Sequence, residues 1–350
     1  MTRPYRGPLA AWPEWLRGHV LEHKVTDIVV FGDCRDHHGA AHGIADREGV
    51  RFWAFEEGYL RPNHVTLEQG GVNGRSSFPR SLHAVQLLAE RLPEPPAPEP
   101  VVNRFRTRAW EAVRHHVAAV IARPFFPHYD THRGTAPWRE AVGWVKRLAG
   151  RGAERRRSAA SLVRLRGHRF FLHSLQIEGD SQLRFHSPFA SMVEAIEHVV
   201  ASFAAAPAGT MLLAKMHPLD PGVLPWQRLV TEAAVAAGIA DRVAFVEHAD
   251  LIDLLDRTRG VVTVNSTVGP LALERGVPVL ALGDAIYRVP GITANDGLAA
   301  FWRALLPVDT GNFALLTKAL RAKCLVNGGF HSPSAVARLV TSSADTMLRP

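Results

Sequence analysis

Short β-branched runs that end in polar residues, each followed by a stretch of helical character, recur along this chain and set its fold class. Residues 25–30 (VTDIVV) lead into Phe31-Gly32-Asp33, and residues 50–55 lead into Glu56-Glu57-Gly58. Between them, residues 40–48 read as a helix closed by Gly49, a residue suited to a left-handed cap. The rhythm resumes near Arg169, with strands expected at 170–175, 210–216, 243–246, 260–264 and 277–282 and helices at 189–205, 226–237, 251–256 and 268–275. Alternation at this spacing predicts an α/β protein with parallel sheets, two Rossmann-like domains facing a cleft. The boundaries read as 1–165 for a first domain that includes a basic helical segment over 101–165, 166–310 for a second, and 311–350 for C-terminal helices able to pack back on the first. Residues 93–100 (PEPPAPEP) break regular structure ahead of the basic segment.

The chain has 350 residues, 47% of them hydrophobic, which suffices for two cores and excludes disorder or a coiled coil as a global reading. Two cysteines, Cys34 and Cys324, can build neither a disulfide framework nor a four-thiolate zinc site, which suits a reducing compartment. Residues 1–15 contain three prolines and no continuous apolar core, so no signal peptide is read there. The longest uncharged apolar stretch, 199–214, is broken by Pro207 and Gly209 and falls short of the roughly 20 residues of a spanning helix. The charge is uneven. Residues 101–170 carry 16 Lys and Arg against 4 Asp and Glu in a chain whose net charge is only +8. Such a segment attracts a polyanion, whether nucleic acid, anionic lipid or an acidic polymer. It also suits a solvated linker. Nucleic acid is the least supported, since neither zinc-finger spacing nor an RNP-like aromatic motif is present.

Candidate chemistry gathers at strand ends, where open α/β sheets bind ligands. Glu56 and Glu57 can supply an acid or base, with Gly58 permitting a tight turn; an exposed acidic loop is the plainer reading. His217-Pro218 follows a strand that carries Lys215, and Pro218 can open a helix, so that imidazole and helix N-terminus face one phosphate; a simple turn is the alternative. Asn265-Ser266-Thr267 precedes a helix beginning near Val268, and Ser or Thr there is explained by N-capping alone. Residues 176–188 (QIEGDSQLRFHSP) form the most unusual stretch, a loop dense in functional groups with Asp180 at its centre, where an Asx-turn is the structural alternative. The sequence contains no Asp-x-Asp, so no metal clamp for a nucleoside diphosphate sugar is expected. His37 and His38 lack an evident third ligand.

Taken together, these residues resemble the capsule polysaccharide biosynthesis family, in its KpsS/LipB-like, single-module branch of β-Kdo transferases. The resemblance is carried by 31–35 (FGDCR) with His38, 55–62 (FEEGYLRP), Thr66-Leu67-Glu68, 71–74 (GVNG), 176–189, His217-Pro218, and 265–269 (NSTVG) followed by Gly276-Val277-Pro278. Residues 95–165 carry no matching motif.

The resemblance implies a GT-B-like glycosyltransferase that uses CMP-β-Kdo with retention and adds Kdo to a (lyso)phosphatidylglycerol-type glycolipid, building the poly-Kdo linker of capsular polysaccharide. Asp180 is then the nucleophile and Glu57, or less readily Glu56, the general base, the two carboxylates coming from different domains. His217, Pro218, Ser266 and Thr267, with Lys215 and Asn265, are expected to hold the CMP part. Arg35, His38, Arg61, Gln176, Gln182, Arg184, His186 and Ser187 are expected around the sugar acid or acceptor. No cofactor beyond the donor and no metal is expected. The expected partners are CMP-Kdo, the lipid acceptor, an anionic membrane surface and other capsule biosynthesis or export proteins, with the chain cytoplasmic and peripheral on the inner membrane. Three rivals stay open: an inverting sialyl-type transferase in which Asp180 is structural, a non-catalytic capsule assembly or export subunit, and a UDP-sugar epimerase.

Overall fold

The computed structural model describes residues 3–101, 110, 114, 117–128 and 137–348. Much of the basic segment expected to be helical, namely 102–109, 111–113, 115–116 and 129–136, lies outside the described residues. The strands are β1 (Asp27–Phe31), β2 (Arg51–Glu57), β3 (His64–Gln69), β4 (Arg169–Ser174), β5 (Thr210–Lys215), β6 (Val243–Val246), β7 (Val261–Thr263), β8 (Val279–Ala281) and β9 (Leu325–Asn327). The chain divides into two compact units. The first comprises 1–79, 88–132 and 317–350, the second 80–87 and 133–316.

The second unit is built on a sheet of order β6-β5-β4-β7-β8, parallel throughout. This is the Rossmann-like order third-second-first-fourth-fifth, whose direction of winding reverses between β4 and β7. Its strands are apolar almost without interruption because both faces are covered: all six residues of β5 are buried. Helix Met192–Phe203, N-capped by the Ser191 side chain, turns Met192, Ile196, Val199, Val200 and Phe203 inward. The core is anchored by Trp302, whose ring lies 4.9 Å from that of Phe171 and 5.1 Å from that of Phe203. Its indole N–H donates to Ser202 Oγ at 3.0 Å, so the large side chain is buried without an orphaned donor.

The first unit holds a mixed sheet of order β1-β2-β3-β9. Here the repeating rhythm overreaches. β1 and β2 pair in parallel across helix Asp36–Glu48, which Gly49 ends at φ 67°, but β2–β3 and β3–β9 are antiparallel. The short 58–63 connection allows only reversal, since a parallel crossover needs a dozen residues or more. At Gly58 any side-chain carbon would sit 2.0 Å from the His64 carbonyl oxygen, so the turn requires glycine. Trp53, Val65, Leu67, Val326 and Leu339 form the core that joins β9 and the C-terminal helix Pro333–Met347 to this sheet.

The basic helix, Pro137–Arg164, belongs with the second unit, where the sequence had grouped it with the first domain. Polar contacts tie it to the end of β6. Ser158 Oγ donates to Glu247 Oε2 at 3.0 Å and accepts from the Glu247 and His248 backbone N–H groups, each at 3.1 Å. Arg157 donates to Glu247 Oε1 at 2.6 and 3.1 Å, and His248 Nε2 lies 2.8 Å from Glu154 Oε2. These partners are about ninety residues apart in the chain. No helix among the described residues is long and apolar enough to cross a membrane.

Candidate active site

In the second unit the polar residues converge where the winding reverses. The loops after β4 and β7 are cross-linked into a ring. Gln176, 4% exposed, accepts through Oε1 from the Asn265 backbone N–H at 2.6 Å. Its side-chain nitrogen lies 3.5 Å from Asp180 Oδ2. Asp180 Oδ1 accepts from the Gln182 backbone N–H at 2.9 Å, and Gln182 Oε1 accepts from Asn265 Nδ2 at 2.7 Å. Asp180 is therefore the N-cap of a short helix, Ser181–Phe185, which interrupts the stretch expected to be a loop. The Gln182 N–H that the cap satisfies and the Gln176 side-chain nitrogen together hold the carboxylate in one orientation.

The other residues expected in this unit fall into three groups. Ser266 Oγ accepts from the Val268 N–H at 3.2 Å, so Ser266 and not Thr267 caps the seven-residue helix Val268–Glu274. Tyr287 donates to the Ser266 carbonyl at 2.7 Å, and its ring packs on Gly269, where an added carbon would lie 2.5 Å from it; that accounts for the glycine in NSTVG. His217 Nδ1 accepts from the Leu219 N–H at 3.1 Å, which places the ring proton on Nε2. The helix expected to begin at Pro218 is absent. Residues 217–222 make turns instead, closed by Asp220 N–H to His217 O at 3.1 Å and Gly222 N–H to Asp220 Oδ1 at 2.7 Å, and the next helix starts only at Trp226. The residues that follow His217 thus supply no helix N-terminus beside it. Lys215 is buried at the end of β5, and burial pulls its ammonium below the usual range, with the Asp250 charge opposing. Arg184 is exposed, its guanidinium 5.4 Å from the Phe185 ring centre. His186 is buried, and its carbonyl accepts from the Asp284 N–H at 2.7 Å. Ser187 closes a turn, donating to Leu183 O at 2.5 Å and accepting from the Phe189 N–H at 3.2 Å.

In the first unit Glu56 and Glu57 are the last two residues of β2 itself, not of a loop beyond it. The Glu57 N–H donates to Glu56 Oε1 at 2.9 Å. Glu57 Oε2 lies 3.1 Å from Arg61 Nη2, and Oε1 lies 3.9 Å from His331 Nε2. Glu57, Arg61 and His331 line a small pocket with Gly328 and Gly329 at its wall. A side-chain carbon on Gly32 would lie 3.7 Å from Arg35 Nε and 3.8 Å from Glu56 Oε2. His38 Nδ1 contacts the Gly32 carbonyl at 2.5 Å, and burial lowers its pKa. Arg61, expected near a sugar carboxylate, is thus paired with Glu57 in this structure.

His331 was not among the residues read from the sequence. Its signal is the run Gly328-Gly329-Phe330-His331 directly before Ser332, which caps the last helix, and Pro333. Two other stretches carrying the resemblance prove structural. The Tyr59 hydroxyl donates to Glu68 Oε1 at 2.6 Å and accepts from the Asn73 N–H at 2.7 Å, and Ser76 donates to Glu68 Oε2. This buried network holds 66–68 and 71–74 together. Asp33, 2% exposed, accepts from the Val72 N–H at 3.1 Å and from Cys34 Sγ at 3.1 Å; burial and the neighbouring carboxylate push the Cys34 thiol up to about 12. Away from these strand ends, His19, Glu22 and His23 bring ligand atoms within 4.8 Å of one another on the first helix.

The family described as "Capsule polysaccharide biosynthesis protein" matches residues 26–331 of this chain. A capsule polysaccharide export protein, KpsS, of Escherichia coli is 33% identical over 326 residues, covering 91% of this chain and 83% of that one. A capsule polysaccharide modification protein, LipB, of Neisseria meningitidis serogroup B is 34% identical over 351 residues, covering 96% and 82%. Among solved structures, the β-Kdo 2,7 transferase KpsC of Thermosulfurimonas dismutans aligns with a TM-score of 0.43 at 13% identity, covering 94% of this chain and 89% of that one.

Proposed function

The chain belongs to the capsule polysaccharide biosynthesis family, and from that premise we propose that it is a retaining glycosyltransferase that moves Kdo from CMP-Kdo to a lipid-linked acceptor. The observation that supports this most is the ring Gln176–Asp180–Gln182–Asn265, which fixes a carboxylate where a Rossmann-like sheet receives its ligand. In the proposed reaction Asp180 attacks the anomeric carbon. The bond to the CMP phosphate breaks, and CMP leaves with the electron pair. His217, donating from Nε2, and the Ser266 hydroxyl take the departing phosphate, with the Lys215 ammonium nearby in sequence at the same strand end. The glycosyl ester on Asp180 is then attacked by the acceptor hydroxyl, whose proton passes to Glu57, and the Asp180 carboxylate is released. Two inversions give net retention. Arg61 and His331 hold the Glu57 carboxylate through ion-pair distances of 3.1 and 3.9 Å.

The test is incubation with CMP-Kdo and a lysophosphatidylglycerol acceptor, followed by mass spectrometry and anomer analysis of the product. A β-linked Kdo-lipid formed in the presence of EDTA supports the reading. An α-linked product from CMP-sialic acid favours the inverting rival, and CMP binding without any transfer favours a non-catalytic assembly role.

A further inference from the structure

Helix Pro137–Arg164 turns toward solvent the kind of face that a soluble helix keeps polar. Its inward side runs through Gly143, Arg147, Gly150, Glu154 and Ser158, all buried or half-buried. At 100° per residue the opposite side carries Trp138, Val142, Val145 and Leu148, which are 68%, 44%, 66% and 67% exposed, and continues to Val163 at 53%. Arg139, Lys146 and Arg164 flank this stripe on one side and Arg151 and Arg155 on the other, all exposed. The helix holds eight Lys and Arg against two Glu, and both glutamates fall on the inward side of the wheel. The inward charges are engaged: Arg157 with Glu247, Glu154 with His248, and Arg147 with the carbonyls of Pro218 and Asp220. What faces outward is an apolar stripe with cations along both edges and one more, the exposed Arg156, in its own line between Leu148 and Val163. The described stretch 117–125 repeats the theme, exposing Val117, Val120, Ile121 and Phe125.

We propose that the outward face of Pro137–Arg164 is a docking surface for an anionic lipid bilayer. An apolar stripe with cations on both flanks matches a plane whose depth changes from hydrocarbon to phosphate: the stripe enters the acyl region while the guanidinium and ammonium groups, Arg156 on its long aliphatic stem included, stay at headgroup level. An apolar patch alone would suit many partners. The positive sign on both edges, with no acidic residue on that side, selects a negatively charged surface. The inference does not rest on the donor or on the reaction proposed above, and its test uses neither.

The experiment is co-sedimentation of the full chain with vesicles of phosphatidylcholine alone and of equal parts phosphatidylcholine and phosphatidylglycerol. The chain should bind the mixed vesicles at least about tenfold better, and binding should weaken as salt rises from about 0.01 to 0.15 M, where the Debye length falls from about 30 to about 8 Å. The triple substitution Val142→Gln, Val145→Gln, Leu148→Gln should lower binding to the mixed vesicles about tenfold with circular dichroism and melting temperature unchanged. Arg139→Gln, Arg151→Gln, Arg155→Gln together should weaken binding at low salt and flatten its salt dependence by about half, since Lys146, Arg156 and Arg164 remain. Val235→Gln, at a 63% exposed position on another helix of the same unit, should bind as the parent does. Failure of the parent chain to bind mixed vesicles at low salt, or binding as strong as the parent's by both triple variants, overturns the proposal. A parent dimer in light scattering that the Gln stripe converts to a monomer assigns the face to a second copy and overturns it as well.

Discussion

The two carboxylates at the centre of the proposed reaction are held in different ways. Asp180 sits in a ring of amides that spans loops about ninety residues apart, Gln176 to Asn265. Glu57 ends a strand and meets a guanidinium four residues on and an imidazole from the far end of the chain. Amide donors with fixed directions set an attack angle, as a nucleophile needs. A guanidinium and an imidazole at the edge of a pocket hold the carboxylate but leave room for an acceptor and its proton, as a base needs. The sheets under them differ likewise. The parallel sheet below Asp180 draws several crossover connections to one point, while the mixed sheet below Glu57 depends on a reversal at Gly58 and on a strand, β9, that returns from residue 325.

The comparison breaks most sharply at Asp180. Asp180→Asn keeps the capping oxygen and should keep CMP affinity by calorimetry, yet abolish transfer and any glycosyl adduct in intact-protein mass spectra. Full activity in this variant would show that the ring is a structural cap only. Glu57→Gln should slow turnover by about 10²–10⁴-fold, the range for a lost general base, while the adduct on Asp180 still forms and now accumulates. Loss of the adduct in that variant would place both carboxylates in one step and erase the division between them.

Legibility followed the same line. In the second unit the strand at 243–246 and the helix from Trp226 were readable because a buried parallel strand and an amphipathic helix each announce themselves within a dozen residues. Candidate residues 176, 180, 182 and 265 were readable as polar groups at strand ends, but their ring was not: hydrogen bonds between loops ninety residues apart leave no local signature. In the first unit the antiparallel partners of β2 and the arrival of His331 beside Glu57 depend on pairing with residues near 325–331. Pro218 misled because its fixed φ suits a helix start and a turn equally, and Asp220 with Gly222 settled the turn. The basic run was visible as charge. Its assignment to the second unit hangs on Ser158 meeting Glu247, which no composition argument reaches.

A smaller effect sharpens the contrast within the second sheet. His173, in β4, is wholly buried; its Nδ1 lies 3.1 Å from the Val262 carbonyl, and its Nε2 has no partner among the described residues. Burial lowers its pKa to about 4. An unfolded chain therefore takes up a proton near pH 6.5 that the folded chain refuses until about 4, so the unfolded state binds more protons across that window. Stability should fall as pH drops from about 6.5 to 4, by about 3 kcal/mol at the low end, and denaturant midpoints should track it. His173→Gln should flatten that dependence; an unchanged slope would assign it to other groups.

The smallest effects separate two residues of one motif, FEEGYLRP. Tyr59 is 6% exposed, and its hydroxyl both donates to the buried Glu68 carboxylate and accepts from the Asn73 N–H. Tyr59→Phe removes a charge-assisted donor from a buried acceptor and should cost about 1–3 kcal/mol of unfolding free energy. Arg61 has a side chain 42% exposed, and its pair with Glu57, at 27%, is an i,i+4 contact open to solvent. Arg61→Gln should change unfolding free energy by less than about 1 kcal/mol, because exposed pairs offset little of the entropy they cost. Turnover should separate the two in the opposite sense. Arg61→Gln, which disturbs the Glu57 carboxylate directly, should lose more activity than stability, and Tyr59→Phe should lose activity only in step with its folded fraction. If Arg61→Gln is silent in both measurements, the 3.1 Å pair is a surface contact, and Glu57 is organised without it.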